Sequence, residues 1–261
     1  MTGIDDVYVT EWGAAGPRVL FIHGGTPGGG AQAFAQQEPL KERWRLVLPD
    51  RPGHGSTPKD GGEDFERDAR LLDSLLEPGT HIVAQSYGGL VALYLAQAHP
   101  DRVASLTLIE APAFCFAPDD PAVAAMSARN RSLFTQPPDD PVVFMRSAFE
   151  MLGIGVDIPD PPPDFFVEIA TAFKAEAIEI RVPDEAVVDA ALLAASGFPV
   201  LTLTSGNIAG FEHIADAIAD QLGGRHVIVP GTDHSVQNAG DAVNVLLEDL
   251  WLSVGQTDQI A

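Results

Sequence analysis

Short apolar runs alternate with amphipathic stretches along most of the chain. Several runs are nearly continuous in Val, Leu and Ile, which is typical of strands buried on both faces of a parallel sheet. Seven runs are predicted to be strands: 7–11, 18–23, 45–49, 81–85, 103–109, 199–204 and 226–229. Strands that alternate with helices predict the α/β class, here a doubly wound and mostly parallel sheet with helices on both faces.

Four stretches outside these strands have helical patterns. Residues 65–76 place their apolar side chains on one face of a helix, and residues 211–222 and 242–252 are amphipathic in the same way. Residues 86–98 are apolar nearly all round, so we expect this helix to be buried.

The alternation of strands and helices is interrupted after residue 110. The segment 111–196 has no strand-like run, and proline-rich joints divide it into about four helical stretches. It holds eight of the 13 Phe and three of the four Met residues, whereas a solvated linker is poor in both. We therefore predict a helical cap domain, 111–196, inserted into a core domain formed by residues 1–110 and 197–261.

The aromatic side chains of the cap have two interpretations. In the favoured one, rings such as those of Phe144 and Phe166 face the core domain and line a pocket for an apolar ligand. In the other, they only fill the small hydrophobic core of an ordinary helical subdomain.

Acidic residues strongly outnumber basic ones in this chain of 261 residues. Lys and Arg total 15 and Asp and Glu total 37, which gives a formal net charge of −22. Such a charge repels phosphate backbones and anionic lipid surfaces, which argues against nucleic acid and membrane partners and disfavours a polyanionic substrate. The expected partner is a small-molecule substrate, and the sequence gives no indication of the oligomeric state.

The single cysteine, Cys115, leaves no internal disulfide and no cysteine-cluster metal site. The first six residues have neither the basic nor the apolar stretch of a secretory signal. No apolar run approaches the roughly 18 residues that a membrane-spanning helix needs. We therefore expect a soluble, cytoplasmic protein.

A serine lies at a tight turn between a predicted strand and the buried helix. Residues 84–88 read AQSYG, so Ser86 has two small neighbours, Ala84 and Gly88, two positions away on either side. Such a turn strains the serine backbone, raises the hydroxyl above the carboxyl end of the sheet and directs the helix N-terminus towards it. The segment resembles the nucleophile elbow, G-x-S-x-G, of the α/β-hydrolase family, with alanine in the first position.

A glycine-rich loop follows the second predicted strand. Residues 23–28 read HGGTPG and resemble the oxyanion loop of the same family, whose glycines let a backbone N–H point into the site. The resemblance implies that the amides of Gly25 and Tyr87 are the donors that stabilise an oxyanion.

One of the seven histidines has the chain position of a catalytic base. His234 lies on a loop after the last predicted strand, where the family places its base, and a neutral imidazole there can take the proton of a serine hydroxyl. Residues 50–56, DRPGHGS, instead resemble a structural turn of the family, which the glycines and the Ser56 hydroxyl hold. We therefore predict that His234 is the base and that His54 is not catalytic.

The acid departs from the family's commonest pattern. The turn at residues 206–209 reads GNIA where G-x-x-D is usual, so the carboxylate is missing there. Some members of the family carry the acid at the end of the strand before the cap, and Glu110 has that position here. A carboxylate at the end of a buried strand needs a partner, and an imidazole N–H is such a partner. Glu110 is favoured, while Glu212 on a predicted surface helix, another acid or none remain as alternatives.

The ordered set Ser86, Glu110 and His234 resembles the family's nucleophile, acid and base. It implies a serine hydrolase that needs no cofactor and no metal and acts through an acyl-enzyme on a small to medium, mainly apolar ester, lactone or related carbonyl substrate. Only one strand precedes the strand that ends at His23, so the expected sheet has about seven strands and lacks the family's first edge strand. Two alternatives stay open: acyl transfer or cyclisation, as in thioesterase-like relatives, and a ligand-binding protein without turnover.

Overall fold

The structure is a computed structural model, and it describes residues 7–25, 28–59, 61–177 and 179–257. Residues 1–6, on which the expectation of no secretory signal depends, lie outside this part, and so do residues 26–27 of the glycine-rich loop. In the described ranges, no helix is both long enough and apolar enough to cross a membrane.

The apolar runs of the sequence form the strands of one sheet. They are Val9–Trp12 (β1), Arg18–Ile22 (β2), Arg45–Pro49 (β3), Thr80–Gln85 (β4), Val103–Ile109 (β5), Val200–Thr204 (β6) and Arg225–Ile228 (β7). Their order across the sheet is β1-β3-β2-β4-β5-β6-β7. Strand β1 is antiparallel to β3, and the other neighbouring pairs are parallel. The predicted seven-stranded, mostly parallel sheet is confirmed.

Helices follow most of the strands, as the periodicity predicts. They are Gly29–Ala33 (α1), Phe65–Leu72 (α2), Tyr87–Ala98 (α3), Pro121–Thr135 (α4), Pro141–Met151 (α5), Asp164–Ala177 (α6), Ala190–Ala195 (α7), Ala209–Leu222 (α8) and Asp241–Thr257 (α9). Helix α3 is buried along most of its length, which agrees with its almost uniformly apolar sequence.

The sheet has a hydrophobic core on each face because side chains alternate along every strand. In β2, Leu20 and Ile22 belong to the core that α2, α3 and α8 cover. Val19 and Phe21 point the other way, into the core that includes residues of α9. The central strands are therefore covered by apolar side chains on both sides, and their carboxyl ends are held rigidly at one edge.

The cap helices α4–α7 form an insertion between β5 and β6. Two of them begin where an aspartate accepts amide hydrogen bonds from the first turn and a proline occupies the first helical position, at Asp120 and Asp140. The helical insertion is confirmed, whereas its boundaries as a separate domain, 111–196, remain a prediction.

The C-terminal part of the insertion is joined to the core by polar contacts. Glu63 and Ile180 form a short parallel bridge. The Tyr87 hydroxyl donates to the carbonyl of Arg181 at 3.0 Å, and the Arg181 guanidinium lies 4.5 Å from the ring centroid of Phe65. These contacts fix one side of the cap above the carboxyl ends of the strands.

His81 gives the core a pH-dependent contribution to stability. It lies in β4 with its ring against Trp44 and Trp251, and burial lowers the pKa of His81 to about 4. The folded protein therefore favours the neutral His81 ring, whereas the unfolded chain binds a proton at this residue below about pH 6.5. The stability that the neutral ring contributes is present above pH 6.5 and is lost as the pH falls towards 4.

We expect His81→Gln to remove this dependence, because glutamine does not titrate. The difference in free energy of unfolding between wild type and variant should shrink by about 2–3 kcal/mol as the pH falls from 7 to 4. Urea unfolding at several pH values measures it. A difference that stays constant with pH would show that His81 does not titrate in this range.

Candidate active site

The turn between β4 and α3 holds Ser86 in a strained conformation. Its φ is 52° and its ψ is −130°, and in the described ranges Ser86 and Glu110 are the only residues other than glycine with positive φ. A Cβ at Gly88 would lie 2.5 Å from the carbonyl oxygen of His23, so the helix can begin here only with glycine at this position. The structure therefore has the strained, tightly packed elbow that the sequence predicts.

His234 lies within hydrogen-bond distance of Ser86. The loop after β7 brings His234 Nε2 to 2.8 Å from Ser86 Oγ. The Gln85 side-chain amide donates to the His234 carbonyl at 3.1 Å, and the Phe211 ring stacks on the imidazole at a centroid distance of 5.1 Å. A backbone contact and a ring contact thus fix the position of the imidazole.

Glu110 lies on the other side of the imidazole. It follows β5 directly and is 2% exposed, and its Oε2 is 2.7 Å from His234 Nδ1. Its second oxygen, Oε1, accepts hydrogen bonds from the amide of Ser205 at 2.8 Å and from the Ser205 hydroxyl at 2.6 Å. Both carboxylate oxygens are therefore hydrogen-bonded, which offsets the cost of burying the charge.

Ser205 was not predicted from the sequence. It is the residue after β6, and because β5 and β6 are parallel neighbours, the residues that follow them meet at the same edge of the sheet. A hydroxyl directly after the strand beside β5 is the signal that identifies it.

The glycine-rich loop lies directly against the serine. A Cβ at Gly24 would be 2.7 Å from the Cβ of Ser86, so the backbone of the loop closely approaches the hydroxyl. Gly25 and Tyr87 both line the cavity above Ser86. Tyr87 is the first residue of α3, and the first amides of a helix have no partner within that helix. The two residues with the candidate amides thus lie on opposite sides of the serine in the chain and line the same cavity.

A buried arginine, also unpredicted, holds this loop. Arg51 is 0% exposed, and its side chain donates to the carbonyls of His23 at 2.9 Å and Gly24 at 3.1 Å. Its charge is balanced by Asp68 at 2.9 Å and by Glu63 at 2.5 Å. The arginine connects the loop beside Ser86 to two carboxylates on another part of the core.

The ionisation states in this cluster agree with its hydrogen bonds. Burial, and then the charge of Arg51, lowers the pKa of His23 well below its ordinary value. The ring is therefore neutral, with Nε2 accepting from the Arg51 amide at 2.9 Å and Nδ1 donating to the Gly24 carbonyl at 2.6 Å. Burial raises the pKa of Glu63, but the contacts with Arg51 and His54 together outweigh burial and hold that pKa well below its ordinary value.

The structural turn at residues 50–56 is held differently from the sequence prediction. Asp50 accepts hydrogen bonds from the amides of Gly30 and Ser56, each at 2.8 Å. The backbone of Ser56, and not its hydroxyl, thus makes this contact. The His54 ring packs against the His23 ring at a centroid distance of 5.0 Å, within the cluster around Arg51.

A cavity of about 370 Å³ lies between this site and the cap. Ser86 and His234 line it from the core side. The cap contributes mainly apolar side chains, which include Met126, Phe134, Phe149, Met151 and Phe173.

The sequence comparisons relate the chain to known enzymes. A family model for the α/β hydrolase fold matches residues 17–139. The chain is 35% identical over 136 residues to the lipase LipV of Mycobacterium tuberculosis, an alignment that covers 50% of this chain and 47% of that protein. It is 39% identical over 95 residues to the pimeloyl-[acyl-carrier protein] methyl ester esterase of Chromobacterium violaceum, covering 36% and 37% respectively. The alignments thus span less than half the length of these curated relatives.

The fold is similar over nearly the whole chain to that of a thermophilic esterase from Thermogutta terrifontis. The TM-score is 0.63 at 22% identity, and the match covers 95% of this chain and 93% of that one. The chain has the α/β-hydrolase fold. Ser205 lies directly before the turn at residues 206–209, where the family's usual aspartate is missing, and donates two hydrogen bonds to Glu110.

Two of the expectations from the sequence were wrong. Glu212 is not a free surface carboxylate: it accepts hydrogen bonds from the Thr204 hydroxyl at 2.9 Å and the Gly206 amide at 3.0 Å. Phe144 and Phe166 pack within two small hydrophobic clusters of the cap and are not among the residues that line the cavity. The pattern of the sequence predicted an aromatic wall but could not tell which rings face inward, because both sides of these helices are apolar.

The elbow makes a direct prediction about stability. We expect Gly88→Ala to lower the free energy of unfolding by about 1–3 kcal/mol, because the added methyl collides with buried backbone. Gly155→Ala is the matched control, since a Cβ there has no atom within 4 Å and should change stability by less than about 0.5 kcal/mol. Urea unfolding of both variants measures the difference, and equal values would mean that the elbow tolerates a side chain.

Proposed function

We propose that this α/β-hydrolase is a serine hydrolase that cleaves small to medium, mainly apolar esters or lactones through an acyl-enzyme. The supporting observation is the continuous hydrogen-bonded chain from Ser86 through His234 to Glu110, at the base of a largely apolar cavity. The roles are nucleophile for Ser86, base for His234 and acid for Glu110.

The first step forms the acyl-enzyme. Ser86 Oγ attacks the carbonyl carbon while His234 Nε2 takes the hydroxyl proton, and the carbonyl π electrons move to the oxygen. The amides of Gly25 and Tyr87 donate hydrogen bonds to that oxyanion. The tetrahedral intermediate then collapses: the bond to the leaving oxygen breaks, and His234 delivers its proton to the departing alcohol.

The second step releases the acid and restores the enzyme. Water attacks the acyl carbonyl while His234 Nε2 takes a proton from it, and the ester bond to Ser86 Oγ breaks as that proton passes to the serine. Glu110 holds His234 with Nδ1 protonated, so that Nε2 is free to accept, and stabilises the imidazolium that forms in each step. These side chains supply every proton transfer, so the reaction requires neither a metal nor a cofactor.

The cavity and the charge of the protein define the substrate class. Phenylalanine and methionine side chains of the cap favour an apolar substrate portion, and a volume of about 370 Å³ accommodates a small to medium molecule. The net charge of −22 disfavours polyanions. The named activities of the curated relatives, a lipase and a methyl ester esterase, also involve carboxylic esters.

Acyl transfer is the second candidate function, because the mainly apolar lining of the cavity disfavours water as the attacking group. It uses the same acyl-enzyme, which another nucleophile or a hydroxyl of the substrate then resolves. Product analysis with a simple aryl ester, with and without added alcohol, distinguishes it: hydrolysis gives the free acid, and transfer gives a new ester.

The proposed nucleophile predicts selective labelling. Wild-type protein treated with a fluorophosphonate should gain the mass of one phosphonyl group, and Ser86→Ala should gain none and lose at least about 10³-fold in kcat. Ser196→Ala, at the residue directly after α7 and outside the cavity lining, is the control and should label like wild type. Comparable turnover in wild type and Ser86→Ala would overturn the proposal, and an unlabelled wild type would indicate a binding protein.

The proposed acid predicts an unequal effect of two carboxylates. Glu110→Gln should reduce kcat by roughly 10²–10⁴, because the imidazole loses its orientation and the charge that stabilises the imidazolium. The loss of kcat in Glu212→Gln should be at least tenfold smaller than in Glu110→Gln. We expect Glu212→Gln to lower Tm, because the Glu212 carboxylate accepts hydrogen bonds from the turn after β6. Steady-state kinetics and thermal unfolding of both variants are required, and the opposite ranking in kcat would assign the acid to Glu212.

A further inference from the structure

The cavity is polar where it meets the residues that follow His234. Ser235 and Asn238 line it there, together with Gln32 of α1, and we call these three side chains the polar rim. Gln32 and Asn238 are exposed and Ser235 is half-buried, so a ligand in the cavity can reach them. The cavity therefore has an apolar side beneath the cap and an accessible polar side on the core.

The polar rim has hydrogen-bonding groups that the fold does not use. Ser235 precedes the short 3₁₀ helix Val236–Ala239, but its hydroxyl makes no capping hydrogen bond to that helix. The backbone amide of Asn238 donates to the carbonyl of Ser235 at 2.9 Å, whereas within the described ranges its carboxamide has no protein partner. Water satisfies such accessible groups in the free protein, and a polar ligand can replace it.

The polar side of the cavity continues into a groove on the surface of the core. Asn238 lines this groove as well as the cavity, so the two adjoin each other. The other polar and charged side chains that line the groove come from the 3₁₀ helix Ala35–Glu42 and from the start of α9: Gln36, Glu38, Lys41 and Asp241. Two carboxylates and one ammonium group favour a neutral polar ligand over an anionic one.

Two buried glutamines hold the walls of the groove together. Gln37 is fully buried, and its Nε2 donates to the carbonyl of Gln237 at 2.9 Å. Gln237 Nε2 in turn donates to the carbonyl of Ala33 at 3.3 Å. The groove is therefore preformed, as binding sites for small molecules usually are.

The proposed reaction determines which part of an ester meets the polar rim. His234 Nε2 delivers its proton to the departing alcohol, so the leaving oxygen has to lie within hydrogen-bond distance of this nitrogen. The polar rim begins at the next residue, Ser235. The alcohol portion therefore starts at the polar side of the cavity, which leaves the apolar side beneath the cap for the acyl chain.

We infer that the polar rim and the groove form a subsite for the alcohol portion of the substrate. The substrate class is an acyclic ester of an apolar carboxylic acid with a neutral alcohol that carries further hydroxyl or ether oxygens. This inference rests on the proposed function, because it divides the substrate of the same cavity into two parts. A lactone fits this arrangement less well, since its leaving oxygen and its acyl chain belong to one ring.

The test compares esters in which oxygen atoms replace carbon atoms of the same chain. On the alcohol side the pairs are 2-hydroxyethyl hexanoate with propyl hexanoate, and 2-(2-hydroxyethoxy)ethyl hexanoate with hexyl hexanoate. On the acyl side the pair is methyl 6-hydroxyhexanoate with methyl heptanoate. Each ratio of kcat/KM is measured in the wild type and in the double variant Ser235→Ala/Asn238→Ala, so that differences in chemical reactivity between the esters cancel.

We expect the double variant to lower at least one alcohol-side ratio about three- to tenfold, the size of one or two lost hydrogen bonds. The fall should come from slower cleavage of the oxygen-bearing ester and not from faster cleavage of its apolar partner. The acyl-side ratio should keep its wild-type value. Unchanged alcohol-side ratios would overturn the inference, and so would a fall confined to the acyl-side ratio.

An exposed carboxamide outside the site supplies the matched control. Gln136, at the end of α4, lines neither the cavity nor the groove. Gln136→Ala should leave all three ratios at their wild-type values. The Tm of the double variant should stay close to that of the wild type, because the substituted side chains are accessible. A change of the same size in the ratios of Gln136→Ala would contradict a role that is specific to the polar rim.

Binding to an inactive protein keeps this inference separate from the proposed function. In a Ser86→Ala background, NMR titration with 2-(2-hydroxyethoxy)ethyl hexanoate and hexyl hexanoate gives affinities that do not depend on turnover. Adding Ser235→Ala and Asn238→Ala should weaken binding of the first ester about three- to tenfold relative to the second. Unchanged relative affinities contradict the subsite, whereas a wild type that shows the preference in binding but cleaves neither ester contradicts only the hydrolase proposal.

Discussion

The buried carboxylate of Glu110 is the group on which the geometry of the site depends. A negative charge that is 2% exposed is stable only if both of its oxygens are paired, and here Ser205 supplies two donors and His234 a third. These partners come from separate parts of the chain, directly after β6 and after β7. The register of the parallel sheet brings them together, so the fold itself orients the imidazole towards Ser86.

The glycine-rich loop has an equally specific support. Arg51 is fully buried, donates to two carbonyls of the loop and is balanced by Asp68 and Glu63. Removing one member of such a cluster leaves an uncompensated buried charge, which is strongly destabilising. The loop beside the serine is therefore held by the core and not by its own short sequence, which is rich in glycine and has little conformational preference.

The sequence predicted the sheet, the cap insertion and the elbow because each has a local signal. Apolar runs mark strands, and small residues around Ser86 mark the strained turn. Ser205, Arg51 and the contacts of Glu212 were missed because they depend on which strand ends are neighbours, and single-residue patterns carry no such information. The inward-facing rings of the cap were misassigned for a related reason: α5 and α6 have apolar residues on more than one face, so periodicity does not identify the side that lines the cavity.

Proton NMR of the His234 imidazole measures whether Glu110 holds this ring from the side opposite Ser86. We expect a strongly deshielded Nδ1 proton in the wild type, assigned by its absence in His234→Ala. That signal should move upfield or exchange too fast to be observed in Glu110→Gln and should persist in Glu212→Gln. A signal that persists unchanged in Glu110→Gln would show that the Nδ1 proton is bonded to a group other than Glu110.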